Sequence, residues 1–135
     1  MAIIMLSGDK NKGKTSSLHF VHEILVTSGG KTTAVKNEGG PTYRDFSDVV
    51  EYNNKRIAIF TAGDCDGHLE TAISDYETKK HDFLICACNN NRNKFFEKAA
   101  HRIEKTLCSD LQSMIAANWY DAWRLIAILE DCLKG

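Results

Sequence analysis

The sequence predicts an α/β domain: a mostly parallel central sheet of about five strands, with helices on both faces. Three observations carry that expectation. The short apolar runs "AIIMLS", "RIAIFT" and "FLICAC" are rich in branched residues and read as strands buried on both faces. The stretches between them carry apolar residues at helical spacing. Strand and helix alternate along 135 residues, a length that suits one domain, 1–135, around one sheet-centred core.

The elements follow in order. After the first run, Leu18, Val21, Ile24 and Leu25 mark a helix from Lys14 to about Thr27, which Gly29 and Gly30 end. "KTTAVK" (31–36) reads as a second strand, followed by the polar loop "NEGGPTYRDFS". "DVVEY" and "RIAIFT" flank "NNK", and asparagine tolerates the left-handed backbone of a tight turn, so this is a hairpin. A helix from about Gly67 to Lys80 turns Leu69, Ile73 and Tyr76 inward, and "FLICAC" (83–88) is the next buried strand. A helix near Lys94 uses Phe95, Phe96 and Ala99. "RIEKTLC" (102–108) fits a short last strand or a helical continuation, with the strand favoured because it would complete a five-stranded parallel core. The closing helix, Asp110 to Leu133, carries the stripe Leu111, Ile115, Ala122, Ile126, Leu129, Leu133, with Trp119 and Trp123 four apart as packing residues.

A formal net charge of −1 gives no global field toward nucleic acid or an acidic membrane face, so any anion site must be local. No apolar stretch nears the ~20 residues that span a bilayer, and Met1 to Leu6 lack a basic leader, so a buried strand is expected there and not a signal peptide. Five cysteines without CxxC spacing suit reduced thiols and a cytoplasmic location. Cys86 and Cys88 could be taken for a metal pair, but no second pair completes a site, and buried apolar thiols are the plainer reading.

The stretch with chemistry in it is "GDKNKGKT", Gly8 to Thr15. Glycines let a chain wrap a phosphate with its N–H groups inward, and a helix starting at once adds unpaired N–H groups and its positive dipole end. The plain alternative is a glycine loop with solvated lysines. The stretch satisfies GxxxxGK[ST] at every fixed position, follows a predicted buried strand and opens a predicted helix. Residues 2–28 therefore resemble the opening strand, loop and helix of the P-loop NTPase superfamily, on its kinase or GTPase-like side. The resemblance implies a three-layer P-loop fold with the phosphate site at the carboxyl ends of the strands. It implies that Gly8, Asp9, Lys10, Asn11, Lys12, Gly13, Lys14, Thr15 and Ser16 bind the nucleotide, that Lys14 reaches the terminal phosphates, and that Thr15 ligates Mg²⁺.

Such a loop needs an acidic partner for Mg²⁺. In "RIAIFTAGDCDG" Asp64 is the first choice, as metal partner or water-positioning residue; Asp66 reads more plainly as a helix N-cap. "DCDG" also fits the DxxG of GTPase switch regions, which would put a first switch at 37–47 with Thr42 as a metal ligand. The NKxD element that reads guanine is missing: "NKFF" (93–96) has no aspartate, so ATP is favoured over GTP. Arg92, in the loop after Cys88, is the candidate for stabilising charge on a transferred phosphoryl group, with Lys94 and Arg44 behind it. The plain alternative for Arg92 is a solvated arginine. His19 and His22 receive no catalytic role.

The expected function is thus Mg²⁺-dependent ATP hydrolysis, or phosphoryl transfer to an unidentified acceptor, by an NTPase or small kinase. The alternative is a nucleotide-dependent switch or binding module with slow turnover, moving the 37–47 and 62–67 loops. A weaker third idea is a loop that holds a phosphate or sulfate of some other ligand. Expected partners are a nucleoside triphosphate and a homodimer mate or other protein, with neither nucleic acid nor membrane.

Overall fold

The structure is a computed structural model that describes residues 2–10, 12–37, 45–62 and 66–134. Among these residues, seven strands and three helices follow one another as β1 (Ala2–Gly8), α1 (Lys14–Thr27), β2 (Lys31–Thr32), β3 (Lys36–Asn37), β4 (Phe46–Tyr52), β5 (Lys55–Phe60), α2 (Asp66–Thr78), β6 (Phe83–Asn89), β7 (His101–Glu104) and α3 (Leu111–Lys134), with a 3-10 segment, Asn90–Lys98, between β6 and β7. The strands form one mixed sheet in the order β2-β4-β5-β6-β1-β7, with β3 also on β4. β5, β6, β1 and β7 pair in parallel, and β4 alone runs against the others.

β1 lies inside the sheet, between β6 and β7, because it can be buried on both sides. Ile4, Met5 and Leu6 are fully buried, each contributing roughly 1.5–3 kcal/mol of apolar burial. Alternate residues feed two cores. Ile4 and Leu6 join Leu18, Val21 and Leu25 of α1 and Leu125 and Leu129 of α3 on one face. Ile3 and Met5 join Leu69, Ile73 and Tyr76 of α2 and Phe95 on the other. The α/β class and the placing of helices on both faces hold.

Several local expectations hold with them. Asn53 and Asn54 turn the β4–β5 hairpin with φ of 52° and 61°, the positive pair that a two-residue turn requires. α1 ends as its glycines indicate: Gly29 takes φ 103° and the Gly30 N–H donates to the Leu25 carbonyl at 2.8 Å.

Others need correction. The strand expected at 31–36 is two short pieces, because buried Asp48 takes the Ala34 N–H at 2.9 Å and pulls the link off the ladder. The last strand is real but stops at Glu104, where Lys105 and Thr106 are drawn to Asp121. The helix expected near Lys94 is a 3-10 segment opening at Asn90, capped by the Asn89 side chain on the Asn91 N–H at 3.2 Å. Phe95 is buried there as expected. In α3 the buried stripe begins at Ala117; Leu111 is 74% exposed, Ile115 49% and Trp123 55%, since the first turns run past the core and Trp123 faces away from it. Trp119 does pack, stacking on Phe20 of α1 at 3.8 Å. No helix among the described residues is long and apolar enough to cross a membrane.

Candidate functional site

The carboxyl ends of β1, β5, β6 and β7 share one edge of the sheet, and the start of antiparallel β4 joins them there. β1 and β6 are neighbours whose chains leave to opposite faces. β1 continues into α1 on one face; β6 continues into the 3-10 segment, whose Phe95 packs on the other. In open α/β sheets such a divergence is where ligand crevices form. The 8–15 loop and the 89–92 loop flank it, and a hydrogen bond spans them: Asn90 Nδ2 donates to Asp9 Oδ1 at 3.0 Å.

Two glycines shape the 8–15 loop. Gly13 has φ 95°, and a Cβ there would collide with the Asn118 side chain of α3. A Cβ on Gly8 would meet the Lys105 Cβ at 3.0 Å. Glycine is thus required at Gly13 by dihedral and by space. Gly13 is the N-cap of α1 and has no side chain with which to cap the helix start. Ser17 anchors the helix start on α3, donating to the Asn118 carbonyl at 3.0 Å.

Lys14 is 6% exposed and curls over the loop, its Nζ donating to the Asp9 carbonyl at 2.7 Å. Thr15 Oγ1 donates to Asp45 Oδ1 at 3.1 Å, and Thr61 Oγ1 donates to the same oxygen at 2.9 Å. Lys10 and Lys12 are exposed beside them, and Ser16 is half-buried in the first turn of α1. A pocket of about 130 Å³ adjoins the loop, lined by Lys12, Lys105, Thr106, Leu107, Cys108, Met114 and Asn118.

Under this pocket lies a buried ion pair. Lys105 Nζ stands 2.8 Å from Asp121 Oδ2, with side chains 1% and 0% exposed. Asp121 also takes the Thr106 N–H at 2.8 Å, the Thr106 hydroxyl at 2.7 Å and Arg124 at 2.9 Å. Burial pushes the Asp121 carboxyl upward, but the bonds from Lys105, Thr106 and Arg124 outweigh it and hold the group below the usual carboxylate range.

The residues expected at the site are thus partly assembled. Gly8, Asp9, Lys10, Lys12, Gly13, Lys14, Thr15 and Ser16 stand together. Arg92 sits half-buried in the 89–92 loop, two residues beyond Asn90. Lys94 is exposed farther along the same 3-10 segment. Asn11, Thr42, Arg44 and Asp64 lie outside the described residues, as does the side chain of Asp66. The structure adds Asp45, Thr61, Asn90, Asn118, Lys105 and Asp121, none of which motif spacing singles out. His22 pairs with Asp48 at 2.7 Å, and His19 rests on Phe46 at 4.4 Å, both in packing roles along α1.

Elsewhere, a larger groove of about 390 Å³ runs between α2 and the β3–β4 edge, with Phe60, His68, Asp75 and His81 among its walls. Cys86 and Cys88 are buried on β6, and burial pushes the Cys86 thiol far up. No group of three or more His, Cys, Asp or Glu gathers for a metal among the described residues. Comparison with known proteins finds no matching family model, no matching curated protein and no matching solved structure, so the chemistry of the site is read from its own residues.

Proposed function

We propose that this chain is a P-loop nucleotide-binding protein that uses Mg²⁺ to hydrolyse ATP or to pass its terminal phosphoryl group to an acceptor. The observation that carries this reading is Lys14, buried yet folded back over the 8–15 loop with its ammonium on the Asp9 carbonyl. A buried ammonium over a loop at the open start of a helix is a place for phosphate oxygens. The loop N–H groups would cradle the phosphates, and Lys14 would take the outer ones. Thr15 would be the first protein ligand of Mg²⁺, which supplies charge neutralisation between the outer phosphates. Hydroxyl and carboxylate oxygens suit that hard cation. Arg92 would stabilise charge on the transferred group, and Asp64 would position water. Phosphoryl transfer asks little else of a protein than such positioning.

ATP is favoured over GTP. The sequence carries no NKxD element, the device that reads guanine. The test is calorimetric titration with MgATP and MgGTP. ATP should bind, and Lys14→Ala should weaken it about 10–100-fold, the scale of losing hydrogen bonds to a charged group, while leaving the fold intact by circular dichroism. Unchanged affinity in Lys14→Ala overturns the reading.

A second reading, a nucleotide-dependent switch, draws support from the Thr15–Asp45 bond, which ties the loop to the residue entering β4. Multiple-turnover phosphate release separates the two. Turnover well above about 10⁻³ per second, the scale of unassisted switches, means an enzyme.

A further inference from the structure

Asp45 belongs to no motif in the sequence, yet its carboxylate meets the hydroxyl of Thr15. We propose that Asp45 is the residue that orients the Thr15 hydroxyl for Mg²⁺, its carboxylate held by hydrogen bonds of fixed direction from the β4–β5 hairpin. This rests on the nucleotide-binding reading and deepens it.

The direction follows from which groups can donate. The Phe46 N–H donates to Thr61 Oγ1 at 2.8 Å. The Thr61 hydroxyl has one proton and two acceptors in reach, Asp45 Oδ1 at 2.9 Å and the Phe46 carbonyl at 3.2 Å. The carboxylate is nearer and charged, so it is the stronger acceptor. A carboxylate can only accept. The bond of 3.1 Å between Asp45 and Thr15 therefore uses the proton of Thr15, and both lone pairs of the Thr15 oxygen stay available to a cation. A hydroxyl that accepted from its protein neighbour would have a lone pair consumed and its proton loose. Asp45 sets the opposite arrangement and adds negative charge just behind the metal ligand. This is the task of an outer-shell group, which orients a ligand and raises its basicity.

The pieces are held where they must be. Thr61 is 3% exposed, follows β5 directly, and its N–H donates to the Phe46 carbonyl at 3.1 Å. The hairpin register sets Ser47 opposite Phe60, which brings residues 45 and 46 to the carboxyl edge where the loop lies. Asp45 thereby acts on the metal through Thr15 and is a positioning residue. It takes a duty that sequence spacing alone gives to Asp64.

The test uses the full chain and the β,γ-methylene analogue of ATP, titrated by calorimetry in EDTA and in Mg²⁺. Mn²⁺ binding to the analogue complex is followed by electron paramagnetic resonance. In the wild type Mg²⁺ tightens binding. In Asp45→Asn the affinity in EDTA should stay within about twofold, while Mn²⁺ affinity falls about tenfold or more, the scale seen when outer-shell partners of a metal ligand are removed. Thr61→Val should show the same pattern more weakly. Thr15→Ser, which keeps the hydroxyl, should retain the Mg²⁺ effect, and Thr15→Val should lose it. An Asp45→Asn protein with full Mn²⁺ affinity overturns the inference and leaves the nucleotide reading standing. Equal losses in EDTA and Mg²⁺ overturn it too, because a merely structural role weakens both alike. A wild type that binds no analogue in either condition overturns the nucleotide reading, and the inference falls with it.

Discussion

On one flank of the 8–15 loop, Asp121 is wholly buried and takes hydrogen bonds from Lys105, Thr106 and Arg124. On the other flank, Asp45 is half-buried and meets two threonine hydroxyls. Both carboxylates serve the same loop, yet their surroundings differ in kind. Asp121 faces two cations, an N–H group and one hydroxyl, and the buried Lys105 ammonium cannot leave it without stranding a charge in a dry interior. Asp45 faces hydroxyls, which exchange partners at little cost. The first flank is a strut beneath the Gly8 backbone; the second can respond to what the loop holds.

The largest test of that contrast is Asp121→Ala. It leaves Lys105 charged and buried without its carboxylate, and breaking one side of a buried pair costs about 3–5 kcal/mol. Urea denaturation should show that loss. The double variant Lys105→Met, Asp121→Leu should recover most of it, because an apolar pair of similar volume removes the stranded charge. A cost below about 1 kcal/mol for Asp121→Ala breaks the comparison, since surface pairs already reach that value.

The same pair fixes a response to acid. The folded Asp121 carboxyl lies below its unfolded value, so its stabilising contribution is present above about pH 4 and is lost as pH falls through the lowered folded value. Stability measured from pH 5 to pH 2 should decline less in the double variant than in the wild type.

Gly13→Ala comes next in size. It forces a Cβ into φ 95° and against Asn118. Strain of this kind costs about 1–3 kcal/mol. Adding Asn118→Ala should return the part due to the collision and leave the part due to the dihedral. Full recovery would mean that the backbone there is less constrained than its φ indicates.

The smallest effect is expected at Asp45→Asn, about 1 kcal/mol or less, the net worth of an ordinary hydrogen bond. Denaturation midpoints compare it directly with Asp121→Ala. If Asp45→Asn costs more, it is the Asp45 flank that holds the loop.

Motif and periodicity made the loop, the helix it opens, the hairpin and the buried strands legible, because each rests on residues near one another in the chain. Gly13 is the clearest case, since the motif alone demands it. Asn118, which also demands it, lies in α3 and could not be seen from the loop. Asp45 was nearer to being readable. Counting back along the hairpin from Asn53 and Asn54 sets Phe46 against Thr61, and thus Asp45 at the carboxyl edge of β5. Lys105 and Asp121 left no such trace, for a buried pair between a strand end and a helix has no spacing. The exposed start of α3 has a related cause. Its apolar period continues through Leu111 and Ile115 although the core beneath it has ended.

β1 precedes the other described strands, yet its neighbours in the sheet are β6 and β7, residues 83–89 and 101–104, and Gly13 leans on Asn118 of α3. During synthesis the loop therefore emerges with nothing to rest against. Contacts across so long a span form late, after most of the closing entropy has been met. The 8–15 loop should be among the last parts to take shape although it leaves the ribosome before the elements it rests on. A chain arrested before α3 would carry the whole glycine-lysine motif and still lack the helix against which Gly13 and Ser17 are set.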